Sequence, residues 1–482
     1  MSNDRGLFID GRWRPRSEGG SMAVTDPATG KAIGEVPVAS AADTLEAIAA
    51  AERGLKVWRA TPSWTRADTL HRVADVMHDA AERAARQITL ESGKPLAQAR
   101  REWSLSIDQF RWYAEEARRL YGRIVESRSP GGRIEVLHEP VGVVAAFTAW
   151  NFPAVLIARK LAPALAAGCS VVARPSKEVP GVAIEIFECL RAAGLPDGVA
   201  NLVLGPTETT YGPLMESPAV RKVSLTGSTA VGQQMIRDAA ATLKRVSMEL
   251  GGNAPTIVFE DADVERTLDL CVATKFANAG QVCVTADRFY VHESLRDRFV
   301  QGLAERARAL RLGHGLDEAT QMGPLINERR RGAVEAIVAD ALARGAKAVA
   351  GGRRPRMLDG ALQGGFFFEP TVLADVPDDA LALAEENFGP IAAITTFTAA
   401  PEVYARANAS SYGLSAFVFT RSAGRIREAV SAIEVGMVGV NSFALAAAEA
   451  PFGGIKASGM GREGGCEGLL DYCNVKMAQI TL

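Results

Sequence analysis

Short apolar runs alternate with amphipathic stretches through most of the chain, and that alternation predicts an α/β fold built on a doubly wound, largely parallel sheet. The apolar runs, Val141–Thr148 and Ser170–Ala173 among them, are continuous rather than alternating, as strands buried on both faces are. At 482 residues the chain also exceeds the roughly 250–300 at which one core stops growing, so two or more domains are expected.

The N-terminal part predicts a hairpin of Leu7–Asp10 with Ser21–Thr25, followed by long helices. Ala41–Val57 starts after Ser40, and Arg66–Glu91 stops before Gly93. Pro95–Leu120 carries Trp103, Ile107 and Phe110 at i, i+4 and i+7, on one helical face. Ile134–Leu137 reads as a strand ended by Glu139-Pro140. A βαβ series follows: strand Val141–Thr148, helix Ala154–Ala167, strand Ser170–Ala173, helix Val182–Ala193 and strand Ala200–Leu204. It continues with strand Lys222–Thr226, helix Ala230–Ala241, and strands Arg245–Glu249 and Thr256–Phe259. From Asp263 a second α/β region begins, with helix Asp263–Asn278, strand Phe289–His292, helices Ser294–Leu310 and Arg329–Arg344, and strands near Ile391–Phe397 and Ser415–Thr420.

Hydrophobic residues make up 48% and charged residues 23%, which excludes a wholly disordered or collagen-like chain. Lys and Arg total 54 against 56 Asp and Glu, a net charge of −2, so no basic excess points to nucleic acid or an anionic membrane. Six cysteines with no C-x-x-C pair are too few for a disulfide scaffold. The N-terminus opens polar and develops no signal-peptide run. The longest uncharged stretch, Pro140–Ala158, contains Asn151 and Pro153 and runs into Arg159-Lys160, which argues against a membrane span. A cytoplasmic protein is expected.

Gly459-Met-Gly461-Arg-Glu-Gly464 fits G-x-G-x-x-G, but no strand is expected before it and too little chain follows for a βαβ unit, so it reads as a loop. There is no P-loop and no G-x-S-x-G. Thr226-Gly227-Ser228-Thr229-Ala230-Val231-Gly232 follows a strand and opens a helix, where free N–H groups favour an anion. Gly227 lets the chain approach a phosphate and Ser228 adds a hydroxyl; the same residues read equally as an ordinary Ser-capped helix. Cys283 follows a helix end and a Gly-Gln loop, where a thiol can be exposed. Cys169, Cys189 and Cys271 read as small core residues. A lone loop cysteine is as a rule structural, so Cys283 needs partners.

Trp150-Asn151-Phe152-Pro153, Met248-Glu249-Leu250-Gly251-Gly252-Asn253, Asn278-Ala279-Gly280-Gln281-Val282-Cys283, Glu386-Asn387-Phe388-Gly389-Pro390 and Pro451-Phe452-Gly453-Gly454-Ile455-Lys456 together resemble the aldehyde dehydrogenase superfamily. They stand in that family's order, and Glu249 and Cys283 are 34 positions apart, as its pattern expects. The resemblance implies a Rossmann-type dinucleotide-binding domain (residues 1-122 and 141-250), a thiol-bearing α/β catalytic domain (251-440) and a small β oligomerisation arm (123-140 and 470-482). It implies that Cys283 attacks an aldehyde, that Asn151 and the Cys283 N–H hold the oxyanion, and that Glu249 activates water to hydrolyse the thioester. Lys160 and Glu463 fall where the family has a supporting proton relay; read alone they are surface charges as readily. On the cofactor side it implies Trp150, Ser176, Gly227, Ser228, Gly232, Leu250, Glu386 at the nicotinamide ribose, and Phe388 near the nicotinamide. No metal is expected.

Two departures from the pattern matter. Where the family usually has Lys-Pro after the second strand, here stands Arg174-Pro175-Ser176-Lys177, with Lys177 in place of a Glu often found in NAD-preferring members. That cationic corner favours a 2′-phosphate, so NADP is expected to be at least accepted beside NAD. The chain is most similar to the succinate-semialdehyde dehydrogenase branch, whose distal carboxylate is held by two Arg and a Ser. Arg159 matches the first Arg, whereas Ala277 and Ala446 stand at the other two places. With Phe443-Ala444-Leu445 at the mouth, the expected substrate is an aromatic or aliphatic aldehyde, with ω-carboxy semialdehydes second. Thr285 replaces that branch's second cysteine, so no disulfide with Cys283 is expected.

A CoA-acylating dehydrogenase would lack Glu249. A catalytically silent binding protein sits poorly with Asn151, Glu249 and Cys283 together. A Cys-His hydrolase has only His292 downstream on a predicted strand. By resemblance the arm would pair subunits into a homodimer or homotetramer, and its alternation (Ile134, Val136; Val475, Met477) fits a half-buried strand.

Overall fold

In the computed structural model, which describes residues 5–356, 358 and 360–481, two large sheets organise the chain. The first runs Arg12–Arg14, Leu7–Ile9, Ala200–Leu202, Ser170–Arg174, Val143–Phe147, Val220–Thr226, Arg245–Glu249, Gly459–Met460. Its five inner strands are parallel. In chain order they stand third, second, first, fourth and fifth, so the direction of growth reverses between Val143–Phe147 and Val220–Thr226. Such a reversal opens a crevice beyond the strands' carboxyl ends, where open α/β sheets bind ligands.

Burial explains why these runs are strands. All five residues of Val143–Phe147 are buried, since helices cover both faces. Every residue of the crossover helix Pro153–Ala167 is buried too, Arg159 and Lys160 included. Charges on a wholly buried helix are costly and rare unless they serve a site.

The second sheet runs Lys347–Ala350, Thr371–Ala374, Ile391–Phe397, Ala286–His292, Ala254–Val258, Ser415–Phe419, Met437–Val440. Only its first pair is antiparallel. A third, antiparallel sheet joins Cys473–Thr481, Gly132–Pro140 and Arg123–Glu126, with Met477 opposite Val136.

Four expectations need correction. Leu7–Ile9 pairs with Arg12–Arg14 across Asp10-Gly11, and Ser21–Asp26 pairs with Lys31–Pro37, so the expected hairpin is two hairpins. The expected helix Arg66–Glu91 is two, Ser63–Asp79 and Ala81–Ser92; the Trp103 indole donates to Met77 O at 2.7 Å, satisfying a last-turn carbonyl of the first. The helix expected to reach Asn278 stops at Lys275. The glycine loop also contributes Gly459–Met460, which pairs antiparallel with Met248 and Glu249. Helix Thr207–Glu216 had no counterpart in the sequence reading. The uncharged stretch folds as strand Val143–Phe147 and the start of Pro153–Ala167, and no helix among the described residues is long and apolar enough to cross a membrane.

Candidate active site

Beyond the carboxyl end of Val143–Phe147, at the switch point, lie Trp150 and Asn151. Two donors pin the main chain there: Lys94 Nζ donates to Asn151 O at 2.7 Å and Asn278 Nδ2 at 2.9 Å. Lys94 is itself paired with Glu102 at 2.5 Å, both buried, and Glu102 Oε1 accepts from Ala154 N at 2.8 Å at the start of Pro153–Ala167. The Asn151 amide donates once, to Gln281 O at 3.1 Å, while its Oδ1 is buried without a partner. An amide nitrogen carries two hydrogens, so one donor remains.

Facing this loop is the thiol loop. After Lys275 the chain turns through Asn278, Ala279 and Gly280, all with left-handed backbone (φ +48, +54 and +71). Asn tolerates that region and Gly adopts it freely. Gln281 locks the turn, donating from Nε2 to Asn278 O at 2.9 Å and accepting at Oε1 from Ile326 N at 2.9 Å. Cys283 emerges half-buried, packed against the cluster of Leu414, Met437 and Phe452, which Leu445 also covers. Burial, then the charges of Glu386 and Glu249, push its thiol up to about 12, with Arg159 pulling the other way.

Glu249 ends its strand buried, with Oε2 unpartnered and Oε1 close to Gly453, where an added Cβ would lie 2.7 Å away. Burial and the neighbouring charge of Glu463 raise its pKa well above the ordinary carboxylate range, against Lys160, Arg159 and Arg462. Lys160 Nζ meets Glu463 Oε1 at 2.5 Å, both buried; they are not surface charges. Arg159 stacks its guanidinium 4.3 Å from the centre of the Phe452 ring, and its buried Nε has no acceptor.

A cleft of about 390 Å³ runs between these loops, lined among others by Trp150, Asn151, Gly227, Ser228, Leu250, Cys283, Glu386 and Phe388. Trp150 and Phe388 meet edge to face at 5.4 Å. Glu386 Oε1 accepts from Gly252 N at 2.9 Å, and burial pushes its carboxyl up to about 7. Ser228 caps helix Thr229–Ala240, and Gly232 lets that helix lie on Leu250, where a Cβ would come within 2.5 Å. Free N–H groups at a capped helix start, the buried unpartnered Thr226 Oγ1, a buried carboxylate and an aromatic pair suit a dinucleotide laid across the switch point.

The other expected residues lie outside the lining of this cleft. Arg174 donates to Gly205 O at 3.1 Å with its Nε unpartnered, and the Ser176 hydroxyl donates to Glu178. Lys177 is exposed and lines a neighbouring cavity of about 370 Å³ that shares Ile326 and Asn327 with the cleft. Phe443 turns its ring onto Phe417 (4.4 Å) and Phe419 (5.4 Å). Sequence reasoning missed Lys94 and Glu102, which no motif marks, and Arg329 and Arg330, which line the cleft from the first turn of helix Glu328–Ala343.

Residues 13–478 match the aldehyde dehydrogenase family. The NADP(+) succinate-semialdehyde dehydrogenase GabD of Escherichia coli is 43% identical over 485 residues, covering 100% of this chain and 99% of that one. A 3-sulfolactaldehyde dehydrogenase of Pseudomonas putida is 44% identical over 469 residues, 97% of this chain and 95% of that one. A solved structure, the crystal structure of an E. coli NADP-dependent enzyme, superposes with a TM-score of 0.97 at 42% identity, over 100% and 99% of the two chains. With its thiol, amide and buried carboxylates gathered at one switch point, the chain belongs to the aldehyde dehydrogenase family.

Proposed function

We propose that this protein oxidises an aldehyde to a carboxylic acid with NAD or NADP, through a thioester on Cys283. The observation that carries the reading is that Asn151, Cys283, Glu386 and Phe388 line one cleft at the switch point. The bound nicotinamide dinucleotide would supply the hydride acceptor, held by Gly227, Ser228, Leu250, Glu386 and Phe388. Cys283 forms the bond to the carbonyl carbon, and the oxyanion is met by the spare Asn151 Nδ2 hydrogen and the Cys283 N–H. Once the hydride has left and the thioester stands on sulfur, Glu249 takes a proton from water, a task that a carboxylate with a raised pKa suits better than an ordinary one. Lys160 and Glu463, paired beside it, are positioned to pass that proton on.

Arg174 and Lys177 give the adenosine end a cationic corner that accommodates a 2′-phosphate. A kcat/KM with NADP roughly a hundredfold below that with NAD, about 2.7 kcal/mol, would remove this part. The apolar cluster of Leu414, Met437 and Phe452 against which Cys283 packs favours an aromatic or aliphatic aldehyde. Arg159, buried with an unpartnered Nε, favours a second reading in which the aldehyde ends in a carboxylate or sulfonate, as the names of both relatives would have it. Following NAD(P)H absorbance with benzaldehyde, hexanal and succinate semialdehyde decides between them. A higher kcat/KM for the semialdehyde, lost selectively in Arg159→Met, overturns the first; no turnover of any aldehyde overturns both.

The eight-stranded sheet and its helices form the dinucleotide-binding domain in this reading, with residues 251-440 as the thiol domain. The three-stranded arm joins subunits into a homodimer or homotetramer; its Ile124, Val475 and Met477 are exposed, the kind of apolar surface a partner covers. Six free cysteines suit the reducing cytoplasm.

A further inference from the structure

Helix Glu328–Ala343 opens with Glu328 and then Arg329, Arg330 and Arg331 in succession. Positive charge in a first turn opposes the helix macrodipole. Three guanidiniums there break a local rule, and such breaches collect at functional sites. Arg331, whose Nε lacks an acceptor, is neutralised by Glu328, donates to Gly365 O at 2.9 Å and lies outside the cleft lining.

Arg330, by contrast, lines the cleft beside Asn327 and Ala333, in the same wall as Glu386 and Phe388. Its Nη2 donates to Asn387 O at 3.1 Å, its Nε is buried with no acceptor, and among the described residues it makes no ion pair. Burial depresses its pKa, with the Glu386 charge acting the other way. A guanidinium kept in a cleft at this electrostatic cost, with a donor unspent, is arranged for an anion that arrives with the ligand.

We propose that Arg330 binds the phosphate on the nicotinamide half of the dinucleotide, while its Nη2 fixes the Glu386–Phe388 loop. A planar fork of donors suits phosphate oxygens better than a ribose hydroxyl. The nicotinamide half is indicated because Asn387, which Arg330 holds, is flanked by Glu386 and Phe388, whereas Arg174 lies at the Gly205–Thr207 turn. The proposal rests on the dinucleotide reading of the cleft.

The test is direct binding, by NADPH fluorescence titration and by competition against it with nicotinamide mononucleotide and with nicotinamide riboside, which lacks the phosphate. In the unaltered protein the mononucleotide should bind more tightly than the riboside. Arg330→Ala should abolish that preference and raise the NADPH Kd by roughly ten- to a hundredfold, the range of a charge-assisted contact. Arg330→Lys should fall between, keeping charge but losing the fork, and 2′,5′-ADP should bind all three alike. If Arg330→Ala weakens mononucleotide and riboside by the same factor, or neither, Arg330 serves only the loop and the proposal fails. If the unaltered protein binds no NADPH or NADH, the dinucleotide reading itself falls.

Discussion

Replacing Gly280 by Ala puts a single methyl between the two loops that hold the thiol and the Glu386 carboxylate. A Cβ at Gly280 would lie 2.0 Å from Gly389 O and 2.4 Å from its carbonyl carbon, where real contacts stay beyond 3.0 Å. One main chain must therefore retreat by about 1 Å, and a shift of that size at reacting groups costs roughly a hundredfold in rate, or about 2.7 kcal/mol of transition-state stabilisation. Left-handed backbone adds about 1–2 kcal/mol. That strain alone is tolerable, since Ala279 already stands at φ +54; the contact with Gly389 is the larger obstacle. Gly280→Ala should thus lower kcat/KM by roughly a hundredfold or more, read by NAD(P)H absorbance, while the protein stays folded with a modestly lower melting temperature. Wild-type kcat/KM in a folded Gly280→Ala protein would refute the claim that the close approach of these loops sets the geometry of the site.

Three further outcomes follow from other parts of the structure. Glu249→Gln should leave a single-turnover burst of one NAD(P)H per Cys283 and cut the steady state by about 10²–10⁴-fold; a full steady-state rate would show that another group activates water. Lys94→Met leaves Glu102 buried and unpaired, at a cost of about 3–5 kcal/mol; adding Glu102→Leu should recover much of the melting temperature but not the activity, because Asn151 O still lacks one of its two donors. His314 Nε2 lies 3.3 Å from buried Asp26, whose hydrogen bond raises the His pKa, so that stabilisation is present below about pH 6.5 and is lost as pH rises through the raised folded value. The melting-temperature gap between the unaltered protein and His314→Gln should therefore shrink from pH 6 to pH 9, and a gap that widens would contradict the assignment.

The fold was legible in the sequence where burial is two-sided. A continuous apolar run marked Val143–Phe147 well, because a strand covered by helices on both faces has no exposed side for polar residues. The first N-terminal hairpin does carry a sequence signal. Asp10-Gly11 is the pair a two-residue hairpin turn needs, and both residues have positive φ, +52 and +76. The break at Ala80 had none, since no Gly or Pro stands there and the indole that takes up the Met77 carbonyl comes from 26 positions beyond Met77. The site divides in the same way. Cys283 and Glu249 sit in motifs because the left-handed turn at Asn278–Gly280 and the close contacts at Gly251 and Gly252 constrain their neighbours as well. Lys94 and Glu102 act through one side chain each, from helical surroundings that any sequence can supply.

Burial of Glu249 has a consequence for the order of events. The thiol and this carboxylate raise each other's pKa, a coupling that is mutual by thermodynamic necessity. Burial and the charge of Glu463 shift Glu249 toward its neutral form, in which it would spare a thiolate at 283 a neighbouring negative charge. In the proposed reaction the sulfur, once the hydride has left the thiohemiacetal, is esterified and carries no charge, so the nearby carboxylate would ionise more readily. Lys160, held by Glu463 at 2.5 Å, stands beside it to favour the anion. The proposed reaction thus asks the same side chain to hold its proton beside the thiolate and to act as a base once the thioester stands.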